Sequence, residues 1–105
     1  VSDYRIDSTS EADDHARAID SWWRDHRPAS PDLFLDELTR SFSLLARLPT
    51  LGAIYDHRGA PANIRRVLMR ATRSHVYYSI DEAAHVILIR AIWHASRERG
   101  PFDTR

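Results

Sequence analysis

Five residues in the carboxy-terminal half, Arg65, Arg70, Arg90, His94 and Arg97, are of types that hold an anion or move a proton. A guanidinium is a permanent charge whose planar fork meets phosphate or carboxylate through paired hydrogen bonds. An imidazole titrates near neutrality, so His94 is the group in this set that could act as acid or base. His15, His26, His57 and His85 have no partner at metal-ligand spacing, and the chain has no cysteine. Neither a metal site, a disulfide framework nor a cofactor is therefore expected. The formal net charge is zero, but the first 56 residues carry six arginines against eleven acids, net −5, and residues 57–105 carry nine against four, net +5. The charge is two-sided, and its basic side holds all five candidate residues.

The elements that must position these residues can be read from periodicity. Tyr4 to Asp7 alternates as a short strand, and Ser8 with Glu11 fits a capping box opening a helix. Ala12, Ala16, Ile19 and Trp23 form one helical stripe, which Pro28 stops beyond Arg27. Ser30 as N-cap, Pro31 in the first turn and Asp32 beside the dipole open a second helix. Its stripe is Phe34, Leu38, Phe42, Leu45 and Leu48, and Pro49 ends it, giving an antiparallel helical hairpin. Residues 51–63, with Gly52, Gly59 and Pro61, read as a loop.

The period then falls to two. Ile64 to Ala71 is a strand, a second holds Val76, Tyr78 and Ile80, Asp81 to Ala84 turns, and Val86 to His94 is a third. Strict alternation puts Ile87, Ile89, Ala91 and Trp93 on one face of that last strand and Arg90 and His94, with Val86, Leu88 and Ile92, on the other. Trp23 and Trp93 are expected to pack, Trp93 on the helix side. Tyr77 and Tyr78 point to opposite faces, one packed and one with its hydroxyl exposed. The order predicts an α+β fold: an N-terminal strand, a helical hairpin, then a three-stranded antiparallel meander. With 105 residues, 43% hydrophobic and 29% charged, the chain has the composition of one compact folded domain spanning 1–105. It shows no apolar run of membrane-spanning length, and its first residues lack the apolar core of a signal peptide, so a cytoplasmic location is expected.

The stretch Arg-Arg-Val-Leu-Met-Arg-Ala-Thr-Arg-Ser-His-Val-Tyr-Tyr-Ser-Ile-Asp, residues 65–81, is followed after a turn by an apolar strand ending Ile92-Trp93-His94, with Arg97 three residues on. This order resembles the carboxy-terminal sheet of toxins in the RelE/ParE superfamily, most closely the ParE branch. The likeness extends to Trp22 and Trp23, to Leu48-Pro49 and to Gly52. It implies the toxin of a bacterial type II toxin-antitoxin pair, neutralised by a ParD-like antitoxin whose carboxy-terminal segment wraps it. A homodimer and a hetero-oligomer with the antitoxin are both open. ParE relatives poison DNA gyrase, and RelE relatives cleave messenger RNA at the ribosome.

Cleavage through the 2′-hydroxyl needs a proton acceptor, a proton donor and cations for the phosphorane. Under that alternative His94 and Arg97 would be catalytic. The ribonuclease branch, however, commonly has a tyrosine or histidine near its terminus, where this tail reads Gly100-Pro101-Phe102-Asp103-Thr104-Arg105. His75 stands where ribonuclease relatives tend to carry arginine, and a balanced charge lacks the general attraction to RNA that counterion release supplies. The reading is therefore a gyrase inhibitor acting by contact, with no catalytic residue and with Arg65, Arg70, Arg90, His94 and Arg97 as target-binding residues. A RelE-like ribosome-dependent endoribonuclease is the alternative, and a non-toxic antitoxin-binding module is a second.

Overall fold

The computed structural model describes residues 3–103. Val1, Ser2, Thr104 and Arg105, on which the readings of the two chain ends partly rest, lie outside the described residues. The elements in chain order are β1 (Arg5–Ser8), α1 (Ser10–His26), α2 (Leu33–Arg47), β2 (Ala53–Ile54), β3 (Arg65–Met69), β4 (Ser74–Asp81) and β5 (Val86–His94). They form an α+β layer structure with one five-stranded sheet in the order β1-β5-β4-β3-β2. β3, β4 and β5 make the antiparallel meander, and β1 lies parallel to β5 at the edge. Among the described residues no helix is long and apolar enough to cross a membrane.

The helical hairpin covers one face. Ala12 from α1 and Phe34, Leu38 and Leu45 from α2 bury against Met69, Val76, Tyr78, Ile87, Ile89 and Ile92, with Ile19, Trp23 and Phe42 partly buried around them. Each fully buried large side chain contributes about 1.5–3 kcal/mol relative to exposure, so this layer dominates stability. Glu37 of α2 clamps the hairpin to the sheet from outside the core. Its carboxylate accepts from the backbone amides of Ala71 (2.8 Å) and Thr72 (3.0 Å) and from the Thr72 hydroxyl (2.6 Å), all in the β3–β4 turn.

Four sequence expectations are corrected. The cap of α1 is Thr9, whose hydroxyl accepts from the Ala12 amide at 3.1 Å, and there is no Ser8–Glu11 box. Ser8 is still paired in β1 with Ile89, so the first residue free to cap is the next one. α2 begins at Leu33, and the Asp32 carboxylate takes Arg24 at 2.8 Å in place of a capping bond. The 51–63 loop contains β2, two residues paired with Arg65 and Arg66 and too short to show a period. Leu48 falls past the end of α2 and is 52% exposed.

The alternation in β5 is also broken. Tyr77 pairs with Ala91 and Tyr78 with Ile89, which leaves Arg90 as the extra residue of a β-bulge. The bulge moves Ile92 to the helix side and Ala91 and Trp93 to the outer face. Tyr77 and Tyr78 do face opposite sides, but both are buried, at 2% and 0% exposure. The Tyr78 hydroxyl donates to the Pro49 carbonyl at 2.7 Å and accepts from the Gly52 amide at 2.9 Å, tying the exit of α2 to the sheet.

Candidate functional site

The five residues selected from sequence do not form one cluster. Arg65, opposite Tyr78 on β3, donates to the Gly52 carbonyl at 2.7 Å and so helps hold the segment after α2. Arg70 is exposed in the β3–β4 turn, at the other end of the strand. Arg90 is half-buried at the bulge, and its carbonyl lies 3.4 Å from the Thr9 hydroxyl that donates to it. His94 and Arg97 are brought together, at the end of β5 and in the turn after it.

The His94 ring is set by Ser96. Its Nδ1 accepts from the Ser96 amide at 3.2 Å and lies 2.7 Å from the Ser96 hydroxyl. An amide can only donate, so the network assigns the ring hydrogen to Nε2. Arg97 lies over Trp93, with its guanidinium carbon 3.6 Å from the ring centroid. Such stacking holds a cation on an apolar plate while its N–H edges stay open to an anion. Across from these residues α1 presents Ala18, Ile19, Trp22 and Trp23, and the two walls enclose a hollow of about 370 Å³.

His15 supports this corner. The β1 pairing ends at Ser8, so on that edge β5 continues without a neighbouring strand, and His15 Nδ1 takes over as acceptor for the Ile92 amide at 3.3 Å. Its ring also meets Trp93 edge-on at 5.1 Å. Burial pushes the His15 imidazole below its ordinary 6.5, and Arg97 adds to the shift while Asp14 and Glu11 oppose it. A neutral ring is what the acceptor role requires.

Sequence reasoning missed a second cationic and aromatic group, on the outer face. Arg66 lies 4.6 Å from the Tyr55 ring centroid and donates to the Tyr77 hydroxyl at 3.3 Å. His75 is nearby, its imidazole lowered by burial and then by Arg66. The tail folds over this face: Phe102 meets Tyr77 edge-on at 5.5 Å, and the Trp93 indole donates to the Arg99 carbonyl. Asp103 bridges His57 Nε2 (2.7 Å) and the Gly100 amide (2.8 Å), and its carboxyl is held below the usual range by that amide first and by His57 second. The signal available in sequence was the Arg65-Arg66 pair at the start of a strand, where alternation assigns one to each face. Among the described residues there is no group of three or more histidine, aspartate or glutamate side chains placed to hold a metal.

Two helices on one face of a five-stranded sheet with a parallel edge strand is the fold of RelE/ParE toxins. The chromosomal ParDE TA system from P. aeruginosa matches with a TM-score of 0.71 at 13% identity, over 89% of this chain and 97% of that one. The intact E. coli RelBE toxin-antitoxin complex matches with a TM-score of 0.62 at 18% identity, over 90% and 99%. A RelBE toxin-antitoxin complex from Mycobacterium tuberculosis gives 0.64 at 17%, over 88% and 98%. At these identities the likeness is one of fold. No curated protein matches in sequence. The model of the ParE toxin of the type II toxin-antitoxin system parDE matches residues 6–99, and the chain belongs to that family. It is a type II toxin of the RelE/ParE superfamily.

Proposed function

We propose that this toxin arrests growth by inhibitory binding to DNA gyrase, without bond-making chemistry of its own, and is held inactive by an acidic ParD-like antitoxin. The observation that carries this reading is the character of the surface at His94 and Arg97: tryptophan and aliphatic walls with a stacked arginine. Apolar anchors beside arginine are the composition of protein-contact hot spots. The family match points the same way, and the solved complexes of similar fold support an antitoxin as partner.

A RelE-like ribonuclease is the second reading, and the outer face favours it. Arg66, Tyr55, Tyr77 and His75 place a cation, two phenols and an imidazole together. Two assays separate the readings. The purified toxin should block gyrase supercoiling, or trap gyrase on cleaved DNA, and leave ribosome-bound messenger RNA intact. Alanine at Arg90, His94 and Arg97 should abolish growth arrest. The exposed-surface changes among them should cost stability only within about 0.5 kcal/mol. Codon-positioned cuts that vanish with His94→Ala or Arg66→Ala, with gyrase unaffected, overturn the gyrase reading. Retention of full toxicity by the three alanine variants removes them from the target surface. A wild-type chain silent in both assays leaves the non-toxic antitoxin-binding module.

A further inference from the structure

The hollow between α1 and the end of β5 has about 370 Å³ of space, within the range of roughly 300–1,000 Å³ in which proteins hold ligands. Its walls are mostly apolar, and Trp22 is left 44% exposed there. Its charge is one-sided. Arg97 lies over Trp93, and Arg27 lies 5.5 Å from the Trp22 ring centroid and 6.0 Å from that of Trp23. Among the described residues neither arginine forms an ion pair. An apolar pocket with one unpaired guanidinium, Arg97, in its wall and a second, Arg27, beside two of its tryptophans fits an apolar side chain with carboxylates next to it.

We infer that the hollow receives an aromatic or leucine-sized side chain from an acidic segment of the antitoxin, with carboxylates of that segment on Arg27 and Arg97. This rests on the antitoxin reading above. A second copy of the chain fits less well, since a two-fold contact through this patch brings the same cations of both copies together. Occupation of the hollow covers His94 and Arg97, so the antitoxin neutralises the toxin by masking residues proposed to meet the target.

The test uses the full chain and the product of the gene adjacent to its own, purified separately and mixed. Ala18→Trp fills the hollow from an exposed helix position, Arg97→Glu reverses its rim, and Arg40→Glu is a charge control on exposed α2 surface. The first two should weaken binding about tenfold or more and the control should stay within about twofold, with melting temperatures preserved. The indole N–H resonances of Trp22 and Trp23 should shift when the partner is added to the wild type. Should Ala18→Trp fail to fold, Arg97→Glu and the indole shifts decide. Tight wild-type binding with both variants unchanged and both indoles unmoved overturns the hollow and leaves the antitoxin reading standing. Absence of any wild-type binding overturns both. A dimer of the toxin alone that Ala18→Trp dissolves assigns the hollow to a second copy and overturns the proposal.

Discussion

Gly52 is the residue with the least latitude. A Cβ there would stand 2.7 Å from the Arg66 carbonyl oxygen and 2.8 Å from the Tyr78 hydroxyl, and the Gly52 amide itself donates to that hydroxyl. The constraint is proximity rather than an unusual backbone angle. Gly52→Ala must push the phenol or the β3 backbone aside, and the cost of such overpacking is about 1–3 kcal/mol. Urea unfolding should show a lower midpoint of that size, and a midpoint equal to wild type would mean that the α2–β2 segment yields freely. Tyr78 was legible as a core residue from the alternation of β4. Its hydroxyl bonds were not, because the phenol reaches a segment more than twenty residues away whose course no periodicity reveals.

At the scale of elements, the link that matters most for holding the hairpin to the sheet, beyond apolar contact, is Glu37. One carboxylate satisfies two amides and a hydroxyl of the β3–β4 turn. Hydrogen bonds to a charged group are worth about 1.5–3 kcal/mol, more than neutral ones. Glu37→Ala should therefore lower stability by about 2 kcal/mol, read from chemical denaturation, and hydrogen exchange at Ala71 and Thr72 should quicken. Unchanged exchange at those two amides would refute the clamp. Elements with strong periodicity and clear stops were legible in the sequence: α1 runs up to the Pro28 barrier, and β5 has the predicted limits. What alternation could not supply is its own interruption. The Arg90 bulge inverts every side chain after it, so Trp93 sits on the outer face and the candidate site was read with the wrong neighbours.

Across the whole molecule, the division of charge found in the sequence becomes a division of layers. The acidic half builds β1 and the two helices, and the basic half builds β3, β4, β5 and the tail. Stability should also carry a pH signature from His15 and His75, which brace β5 and the outer face and are both held below 6.5 by burial. For a base with a depressed folded value, the unfolded chain binds more protons between the two values. The stabilisation is then complete above about pH 6.5 and is lost as pH falls toward the folded values. Asp103, held below 3.8, adds a loss in the same direction at still lower pH. Urea midpoints measured from pH 8 to pH 5 should fall, and His15→Gln should flatten part of the slope. A midpoint constant over that range would show that neither ring is kept neutral by the fold.

The parallel contact of β1 with β5 also determines when this molecule can exist. Among the described residues every other strand pairing joins sequence neighbours, β2 with β3, β3 with β4 and β4 with β5, whereas Arg5 meets Val86 and the Thr9 hydroxyl reaches the Arg90 carbonyl 81 positions away. Closing so long a loop costs entropy before any contact repays it, so this pairing belongs to the slow end of folding. During synthesis, β1 and α1 emerge first and must wait for the last strand. The hollow has one wall from each end of the chain, and a growing or truncated polypeptide that lacks β5 does not contain it. A partner that recognises the toxin there reads completion: it ignores fragments and engages only a chain whose final strand has closed against its first.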